Sequence, residues 1–175
     1  ANASGGVIAS LAGGTASGAA GSDTISGFEN LTGSSYDDTL TGDANANVIS
    51  GGAGNDTIEG GDGNDTLAGG SGPDTASYAN SSSAANVNLA TGAASGGAGT
   101  DALSGFENAT GSAHGDTLTG DSGANTLDGG AGDDRLVGGA GNDAIIGRTG
   151  HDTVDYTGAG SGVTVNLVAW SASGG

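Results

Sequence analysis

A nine-residue pattern recurs through this chain at a fixed spacing. Residues 51–59 read GGAGNDTIE and residues 60–68 read GGDGNDTLA, so GGxGxDxUx, in which U is a large aliphatic residue, repeats every nine positions. Weaker copies begin at Gly33, Gly42 and Gly69. A flexible Gly, Ser and Ala linker needs no such phase. The constant offset between Asp and the aliphatic residue through ten nonapeptides therefore predicts a stacked repeat architecture.

A longer period lies over the short one. GFENLTG at Gly27 returns as GFENATG at Gly105, 78 residues later, and the same shift maps the nonapeptides of the first half onto those of the second. We therefore divide the chain into two units, residues 12–89 and 90–167. Residues 1–11 are expected to be the tail of a preceding unit and residues 168–175 the start of a following one.

Composition excludes several classes of function. The chain has 40 Gly among 175 residues, no Cys, only two Lys or Arg, and a formal net charge of −18. A disulfide framework is excluded, nucleic acid would be repelled, and no apolar run approaches the roughly 20 residues of a membrane span. Small cations are the natural partners of such a chain.

The strongest repeats resemble a known family. GGAGNDTIE, GGDGNDTLA, GGAGDDRLV and GGAGNDAII are similar to the calcium-binding nonapeptides of RTX (repeats-in-toxin) proteins. The resemblance implies an all-β fold, a right-handed parallel β-roll in which each nonapeptide is half a coil and Ca²⁺ is bound in the GGxGxD turns. It implies that each ion takes the position-six side chains of two stacked turns and main-chain oxygens from positions one to four.

The residue types explain why such a fold would need metal. Glycine enters the positive-φ conformations of tight turns, and position eight of each repeat is expected to point inward. One aliphatic side chain gains about 2–3 kcal/mol on burial, whereas ordering nine residues costs about 1–2 kcal/mol for each backbone. Burial alone is insufficient. The inward positions are Leu40, Ile49, Ile58, Leu67, Ala76, Leu118, Leu127, Leu136, Ile145 and Val154.

Stacking of every second turn would bring position-six side chains together, about 4.8 Å apart. Facing carboxylates repel one another unless a cation lies between them, and Ca²⁺ accepts six to eight oxygen ligands in loose geometry, unlike Mg²⁺. The expected pairs are Asp38 with Asp56, Asn47 with Asp65, Asp56 with Asp74, Asp116 with Asp134, Asn125 with Asp143, and Asp134 with Asp152. Two further pairs, Asp101 with Asp116 and Asp23 with Asp38, raise the expected number of ions from six to eight. The Asn pairs are expected to bind more weakly.

The main-chain ligands follow from the family pattern. The resemblance assigns them to Gly52, Gly54, Gly61, Gly63, Gly69, Ser71, Gly130, Gly132, Gly139, Gly141, Gly147 and Thr149.

Other residues have mainly structural interpretations. Phe28 and Phe106 are expected to plug the core where the coil changes shape, and Glu29 and Glu107 to act as loop caps rather than calcium ligands. The alternating stretch at Val163, Val165 and Leu167 predicts a longer strand. No HExxH or GxSxG motif occurs, so no enzyme activity is predicted.

The resemblance implies a secreted, extracellular protein, with the cell surface as one location, that leaves the cell unfolded by type I secretion and folds on external calcium. We expect a structural segment of a larger bacterial RTX protein, of surface-layer or adhesin type. The alternative is an accessory C-terminal module of a secreted lipase, protease or glycan-modifying enzyme. Besides calcium, other copies of the chain or a cell-surface polysaccharide are candidate partners. An ice-binding face is disfavoured, because only one of six complete repeats has Thr at position three.

Overall fold

A computed structural model describes residues 4–19 and 21–162. All regular secondary structure in these residues is β-strand. No helix in the described part is long and apolar enough to cross a membrane. The strands are β1 (Val7–Ser10), β2 (Thr15–Gly18), β3 (Gly21–Thr24), β4 (Asn30–Thr32), β5 (Thr39–Thr41), β6 (Val48–Ala53), β7 (Thr57–Glu59), β8 (Thr66–Ser71), β9 (Thr75–Ser77), β10 (Ala85–Asn88), β11 (Ala93–Gly96), β12 (Gly99–Ser104), β13 (Asn108–Thr110), β14 (Thr117–Thr119), β15 (Thr126–Asp128), β16 (Arg135–Val137), β17 (Ala144–Ile146) and β18 (Thr153–Val154).

Successive nonapeptides place their strands alternately in two nine-stranded sheets. The first sheet has the order β17-β15-β13-β9-β7-β5-β1-β2-β3, and the second has the order β18-β16-β14-β10-β11-β12-β8-β6-β4. Strands of alternate repeats pair in parallel at a register of eighteen residues, as Leu40 with Ile58 and Ile49 with Leu67 show. Two nonapeptides therefore make one coil. The expected β-roll is confirmed.

The core lies between the two sheets and consists mainly of one inward-facing side chain from each nonapeptide. Each nonapeptide strand is about three residues long, so its central residue, at position eight, faces inward while its neighbours face out. Leu40, Ile49, Ile58, Leu67, Ala76, Leu118, Leu127 and Leu136 are at most 1% exposed. Ile145 and Val154, in the last two strands of the stack, are only half-buried. The inward orientation of position eight is thus confirmed, and burial is lower in the last two strands of the described residues.

A three-stranded antiparallel meander separates the nonapeptide blocks. Strands β10, β11 and β12 pair antiparallel, while β12 pairs in parallel with β8 and β10 in parallel with β14. Strands β1, β2 and β3 form the same meander 78 residues earlier. Gly92, at φ +66°, lies in the β10–β11 turn, where a Cβ atom added to it would lie 2.5 Å from the main-chain oxygen of Leu103. The predicted boundary between residues 89 and 90 falls in this turn and remains a prediction.

The two units exchange sheets. When the three-stranded meander is counted as one element, each unit has seven elements in chain order, and successive elements alternate between the two sheets. Because seven is odd, a strand and its equivalent 78 residues later lie in opposite sheets: β9 is in the first sheet and its equivalent β18 in the second. Two units together restore the starting arrangement.

The phenylalanine prediction is right for one residue and wrong for the other. Phe106 is 6% exposed and joins the core, whereas Phe28 is 55% exposed. The difference is one of position, because Phe106 follows β12 inside the stack and Phe28 follows β3 at its edge. The strand predicted at Val163, Val165 and Leu167 lies outside the described residues.

Candidate metal centre

Position-six side chains form two columns along the turns of the roll. In each column the main-chain N–H of one position-six residue donates to Oδ1 of the position-six residue eighteen places later. These bonds join Asp38 to Asp56 (2.8 Å), Asn47 to Asp65 (2.8 Å), Asp56 to Asp74 (2.7 Å), Asp116 to Asp134 (2.8 Å), Asn125 to Asp143 (3.0 Å) and Asp134 to Asp152 (3.2 Å). The structure therefore brings together all six pairs that stacking of alternate turns predicts.

The second oxygen of four of these carboxylates, Oδ2, differs from the first in its hydrogen bonding. Oδ2 of Asp56, Asp65, Asp74 and Asp134 is buried without a hydrogen-bond partner. A buried polar atom normally has a partner, and one that lacks it costs free energy. Such an orphaned anionic oxygen fits a hard cation, which prefers oxygen ligands.

Burial also raises the affinity of these carboxyl groups for protons. Loss of hydration, with a smaller contribution from the nearby charge of Asp101, raises the pKa of Asp65 to about 6, although the hydrogen bond from the N–H of Asn47 opposes the rise. The same loss of hydration raises the pKa of Asp56, Asp74 and Asp134, with added repulsion from the acidic residues of neighbouring turns. The column thus holds more negative charge than its surroundings stabilise.

Glycine at position one makes room for the carboxylate. A Cβ atom added at Gly51 would lie 2.2 Å from Oδ2 of Asp56, and one added at Gly60 would lie 2.1 Å from Oδ2 of Asp65. Any larger residue would displace the orphaned oxygen. The turn therefore surrounds that oxygen closely and leaves no room for a side chain at position one.

Glycine at positions two and four brings main-chain oxygens of adjacent turns into the same region. Gly52 and Gly54 both have φ +116°, a conformation that residues with side chains resist. A Cβ at Gly52 would lie 2.3 Å from the main-chain oxygen of Ser34 in the turn below. Carboxylate and main-chain oxygens of adjacent turns thus lie close together, and Ca²⁺ accepts oxygen ligands of both kinds.

The described residues contain no group of three or more His, Cys, Asp or Glu side chains placed to hold a metal ion. A site here would combine two acidic side chains with main-chain oxygens.

Comparison with protein families agrees with this geometry. The family model of the RTX calcium-binding nonapeptide repeat matches four times, at residues 26–58, 41–76, 110–145 and 128–160. The chain belongs to the RTX calcium-binding nonapeptide repeat family. RTX nonapeptides bind calcium, so the chain is a calcium-binding repeat segment of an RTX protein. No curated protein sequence matches it at a significant level.

The RTX columns are not uniform, because each contains one asparagine, Asn47 in one column and Asn125 in the other. Oδ1 of Asn47 accepts from the N–H of Asp43 (2.8 Å), and its Nδ2 donates to the main-chain oxygen of Glu29 (3.2 Å). Asn125 makes the same pair of bonds, with Asp121 (2.8 Å) and with the oxygen of Glu107 (2.9 Å). The amide thus joins two stacked turns through hydrogen bonds alone.

The expected pairs of Asp101 with Asp116 and of Asp23 with Asp38 are wrong. Oδ1 of Asp101 accepts from the N–H of Asp65 (2.9 Å), and Oδ2 accepts from the hydroxyl of Tyr78 (2.8 Å). Asp101 lies on β12 and is separated from β14, which follows Asp116, by strands β11 and β10. The six-residue GFENAT segment suggested a short half-coil, whereas the antiparallel meander inserts two extra strands.

Asp23 is displaced in the same way. It lies exposed on β3, at the edge of the first sheet. Oδ1 of Asp38 instead accepts from the N–H of Val7 (2.6 Å), a residue of β1. The equivalent bond in the second unit joins the N–H of Ala85 to Oδ1 of Asp116 (2.6 Å).

Sequence reasoning missed three members of the columns. Oε2 of Glu107 accepts from the N–H of Asp74 (2.9 Å), so this glutamate takes the place of a position-six aspartate. The hydroxyl of Ser34 donates to Oδ1 of Asp38 (3.0 Å), and the hydroxyl of Ser112 donates to Oδ1 of Asp116 (2.9 Å). Serine at position two, where the strong repeats have glycine, was the available signal for the last two.

Proposed function

We propose that this chain is a structural segment of a larger secreted RTX protein that folds when it meets extracellular calcium. Four buried carboxylate oxygens without partners carry the proposal. A fold that buries unbalanced charge in this way is expected to need a cation, since its core has only one aliphatic side chain for each nonapeptide.

Six calcium sites are proposed, one for each of the six position-six pairs that lie eighteen residues apart. The proposed side-chain ligands are Asp38, Asn47, Asp56, Asp65, Asp74, Asp116, Asn125, Asp134, Asp143 and Asp152. The proposed main-chain ligands are the position-one to position-four oxygens assigned from the family pattern. When bound, Ca²⁺ supplies positive charge between the carboxylates of adjacent turns. The glycines hold the oxygens close together, and the position-six N–H groups fix one oxygen of each carboxylate.

Asp101 and Asp23 are left out of the proposed ligand set. Both carboxylate oxygens of Asp101 accept hydrogen bonds from protein donors, those of Asp65 and Tyr78. Burial raises the pKa of Asp101, and these two hydrogen bonds oppose that rise. The junction around Asp101 is therefore held without metal, which reduces the proposed number of ions from a maximum of eight to six.

A structural role is favoured over an accessory module on a secreted enzyme. The observation that favours it is the continuity of both sheets across the two units, through the β8–β12 and β9–β13 pairs. Repeated units that stack without a break lengthen a stalk or surface layer. A catalytic domain in the parent protein would support the accessory role.

A calcium titration tests the extracellular assignment. Extracellular sites are tuned to about 10⁻⁴–10⁻³ M, so folding followed by circular dichroism should have its midpoint in that range, with Mg²⁺ ineffective at equal concentration. A midpoint at submicromolar calcium would mean that the chain folds in the cytosol, and secretion in the unfolded state would then be excluded.

A further inference from the structure

Glu107 continues the column of Asp38, Asp56 and Asp74 where the first unit meets the second. Oε2 of Glu107 accepts from the N–H of Asp74 (2.9 Å). In the regular turns this N–H donates to Oδ1 of the position-six aspartate eighteen residues later, as from Asp56 to Asp74 (2.7 Å). Glu107 follows Asp74 by 33 residues instead, because the meander lies between them in the chain. The glutamate carboxylate therefore takes the next position-six place in the column.

Residues 105–107 are a shortened form of the nonapeptide turn. A regular turn has six residues from the position-one glycine to the position-six aspartate, as in GGAGND at residues 51–56, whereas GFE has three. The strands on both sides keep their register, because β12 pairs in parallel with β8 before the turn and β13 with β9 after it. Gly105 is therefore equivalent to a position-one glycine, and Glu107 to a position-six aspartate.

A main-chain oxygen of this short turn lies beside the second carboxylate oxygen of Asp74. A Cβ atom added at Gly69 would lie 2.1 Å from the oxygen of Gly105 and 2.6 Å from Oδ2 of Asp74. The two oxygens are thus at most 4.7 Å apart, the sum of these distances. Ligands on opposite sides of one Ca²⁺ are about 4.6–5.2 Å apart, twice the usual metal–oxygen distance. One calcium ion can therefore contact both oxygens.

The six proposed pairs show the same arrangement in five cases. In these five, a Cβ atom added at the position-one glycine would lie within 2.6 Å of two oxygens: the position-six side-chain oxygen of its own turn and the position-one oxygen of the next turn. At Gly51 they are Oδ2 of Asp56 (2.2 Å) and the main-chain oxygen of Gly69 (2.6 Å). Oδ2 of a position-six residue thus lies beside the turn that follows it in the column.

Asp74 therefore has a buried oxygen that its pair with Asp56 does not use. The side chain is fully buried, and Oδ2 has no hydrogen-bond partner. Oδ1 of Asp74 is the oxygen that accepts from Asp56, whereas Oδ2 lies beside Gly105. A buried anionic oxygen without a partner is costly unless a cation or donor compensates it. The compensating group has to come from the side of the short turn.

The parallel junction in the other sheet lacks this donor set. Asp65 is followed in its column by Asp101, whose two carboxylate oxygens accept from the N–H of Asp65 and from the hydroxyl of Tyr78. The three atoms nearest to a Cβ atom added at Gly60 all belong to Asp65. No main-chain oxygen is therefore as close to that point as the oxygen of Gly105 is to the equivalent point at Gly69. The two junctions between the units thus differ in their capacity for metal.

We infer that Asp74 and Glu107, with the main-chain oxygen of Gly105, form a seventh calcium site at the boundary between the two units. The inference rests on the proposed function, because it extends the calcium-filled column by one place. It gives Glu107, which lies outside the nonapeptides, the role of a metal ligand instead of the loop cap expected from the sequence. Strands β9 and β13 belong to different proposed units and pair directly, so this ion would tie one unit to the next.

The number of bound ions tests the inference. Calorimetric calcium titration, with equilibrium dialysis at saturation, should give one ion fewer for Glu107→Ala than for the parent chain. Asp74→Ala should lose two ions, because Asp74 would belong to two sites, whereas its pair with Asp56 alone predicts the loss of one. Glu59→Ala is the matched control: the Glu59 carboxylate lies at position nine, outside the columns, and accepts from Asn80 (3.1 and 2.9 Å). This control should bind as many ions as the parent.

Glu107→Gln separates a metal ligand from a hydrogen-bond acceptor. The amide oxygen can still accept from the N–H of Asp74, but the negative charge is lost. Peptide-resolved hydrogen exchange at increasing calcium should therefore show that protection of residues 105–110 requires more calcium in Glu107→Gln than in the parent. A calcium dependence equal to the parent's would show that Glu107 serves only as an acceptor, and would overturn the inference.

Failure of this inference is distinguishable from failure of the proposed function. A parent chain that binds no calcium would contradict both. A parent that binds six ions, with the same number in Glu107→Ala, would overturn the seventh site and leave the proposed function intact. Circular dichroism in saturating calcium shows whether each variant folds. Loss of the β signal in Asp74→Ala shifts the decision to Glu107→Ala and Glu107→Gln, which leave every regular pair unchanged.

Discussion

The main-chain N–H of Asp56 donates to Oδ1 of Asp74, 2.7 Å away and eighteen residues later in the chain. The same Asp56 accepts, through its own Oδ1, from the N–H of Asp38 (2.8 Å). Its Oδ2 atom is buried with no partner. One carboxylate oxygen thus anchors the neighbouring turn, and the other is left for a cation.

Because Asp56 belongs to two pairs, its replacement should remove two calcium sites. Asp56→Ala should lower the calcium stoichiometry by two and weaken the cooperativity of folding, as should Asp134→Ala in the second unit. Calorimetric calcium titration measures this number. Asp62→Ala, which removes the same charge from an exposed position three, should titrate like the parent. If Asp56→Ala does so too, the pairing of alternate turns is wrong.

The asparagines should make part of each unit independent of calcium. Asn47 donates from Nδ2 to the main-chain oxygen of Glu29, and an aspartate side chain at this position would instead place a second anionic oxygen against that carbonyl. Asn47→Asp should therefore reduce residual β structure in chelator and increase the response to calcium, since it adds a charge to the site. Circular dichroism with and without chelator measures both effects. An unchanged signal in chelator would show that the hydrogen bond from Nδ2 of Asn47 contributes nothing to stability.

Glycine at position one should be essential to the site. Gly60→Ala places a Cβ atom 2.1 Å from Oδ2 of Asp65, and such overpacking typically costs about 1–3 kcal/mol. The free energy of calcium-dependent folding should fall by that amount. Gly158→Ala is the control, because no atom lies within 4 Å of a Cβ added there. Equal effects of the two substitutions in a calcium titration would show that the site does not require glycine at position one.

Acidification should have opposite effects with and without calcium. Burial raises the pKa of Asp65 to about 6, whereas an unfolded Asp titrates near about 3.9. Between these values the metal-free folded state binds more protons than the unfolded chain, so its stability is expected to fall as the pH rises towards 6 and to stay low above it. In chelator, lowering the pH from 7 to about 4.5 should therefore increase β structure.

In calcium, the same acidification should decrease folding, because protons compete with the metal for the carboxylates. Circular dichroism across the pH range in both buffers checks the two slopes. Asp65→Asn should flatten the slope in chelator. Loss of β structure on acidification in chelator would contradict the raised pKa of the buried carboxylates.

The sequence was sufficient where the repeat is regular. The nine-residue period predicted the inward position eight, and together with the half-coil that the family resemblance implies it predicted the stacking of Asp56 on Asp74. It was insufficient at the meander, where Asp101 stacks on Asp65 across an insertion. Nothing in the local pattern distinguishes a short half-coil from an antiparallel excursion. The exposure of Phe28 could not be predicted either, because it depends on what lies beyond the edge of the stack.

Peptide-resolved hydrogen exchange in calcium and in chelator tests the central claim most directly. If cations between stacked carboxylates hold the fold together, amides of residues 33–77 and 111–154 should be protected in calcium and should lose most of that protection once the metal is removed. Protection that persists undiminished in chelator would show that the aliphatic core stabilises the fold without metal. That result would contradict the claim that cations between stacked carboxylates are required.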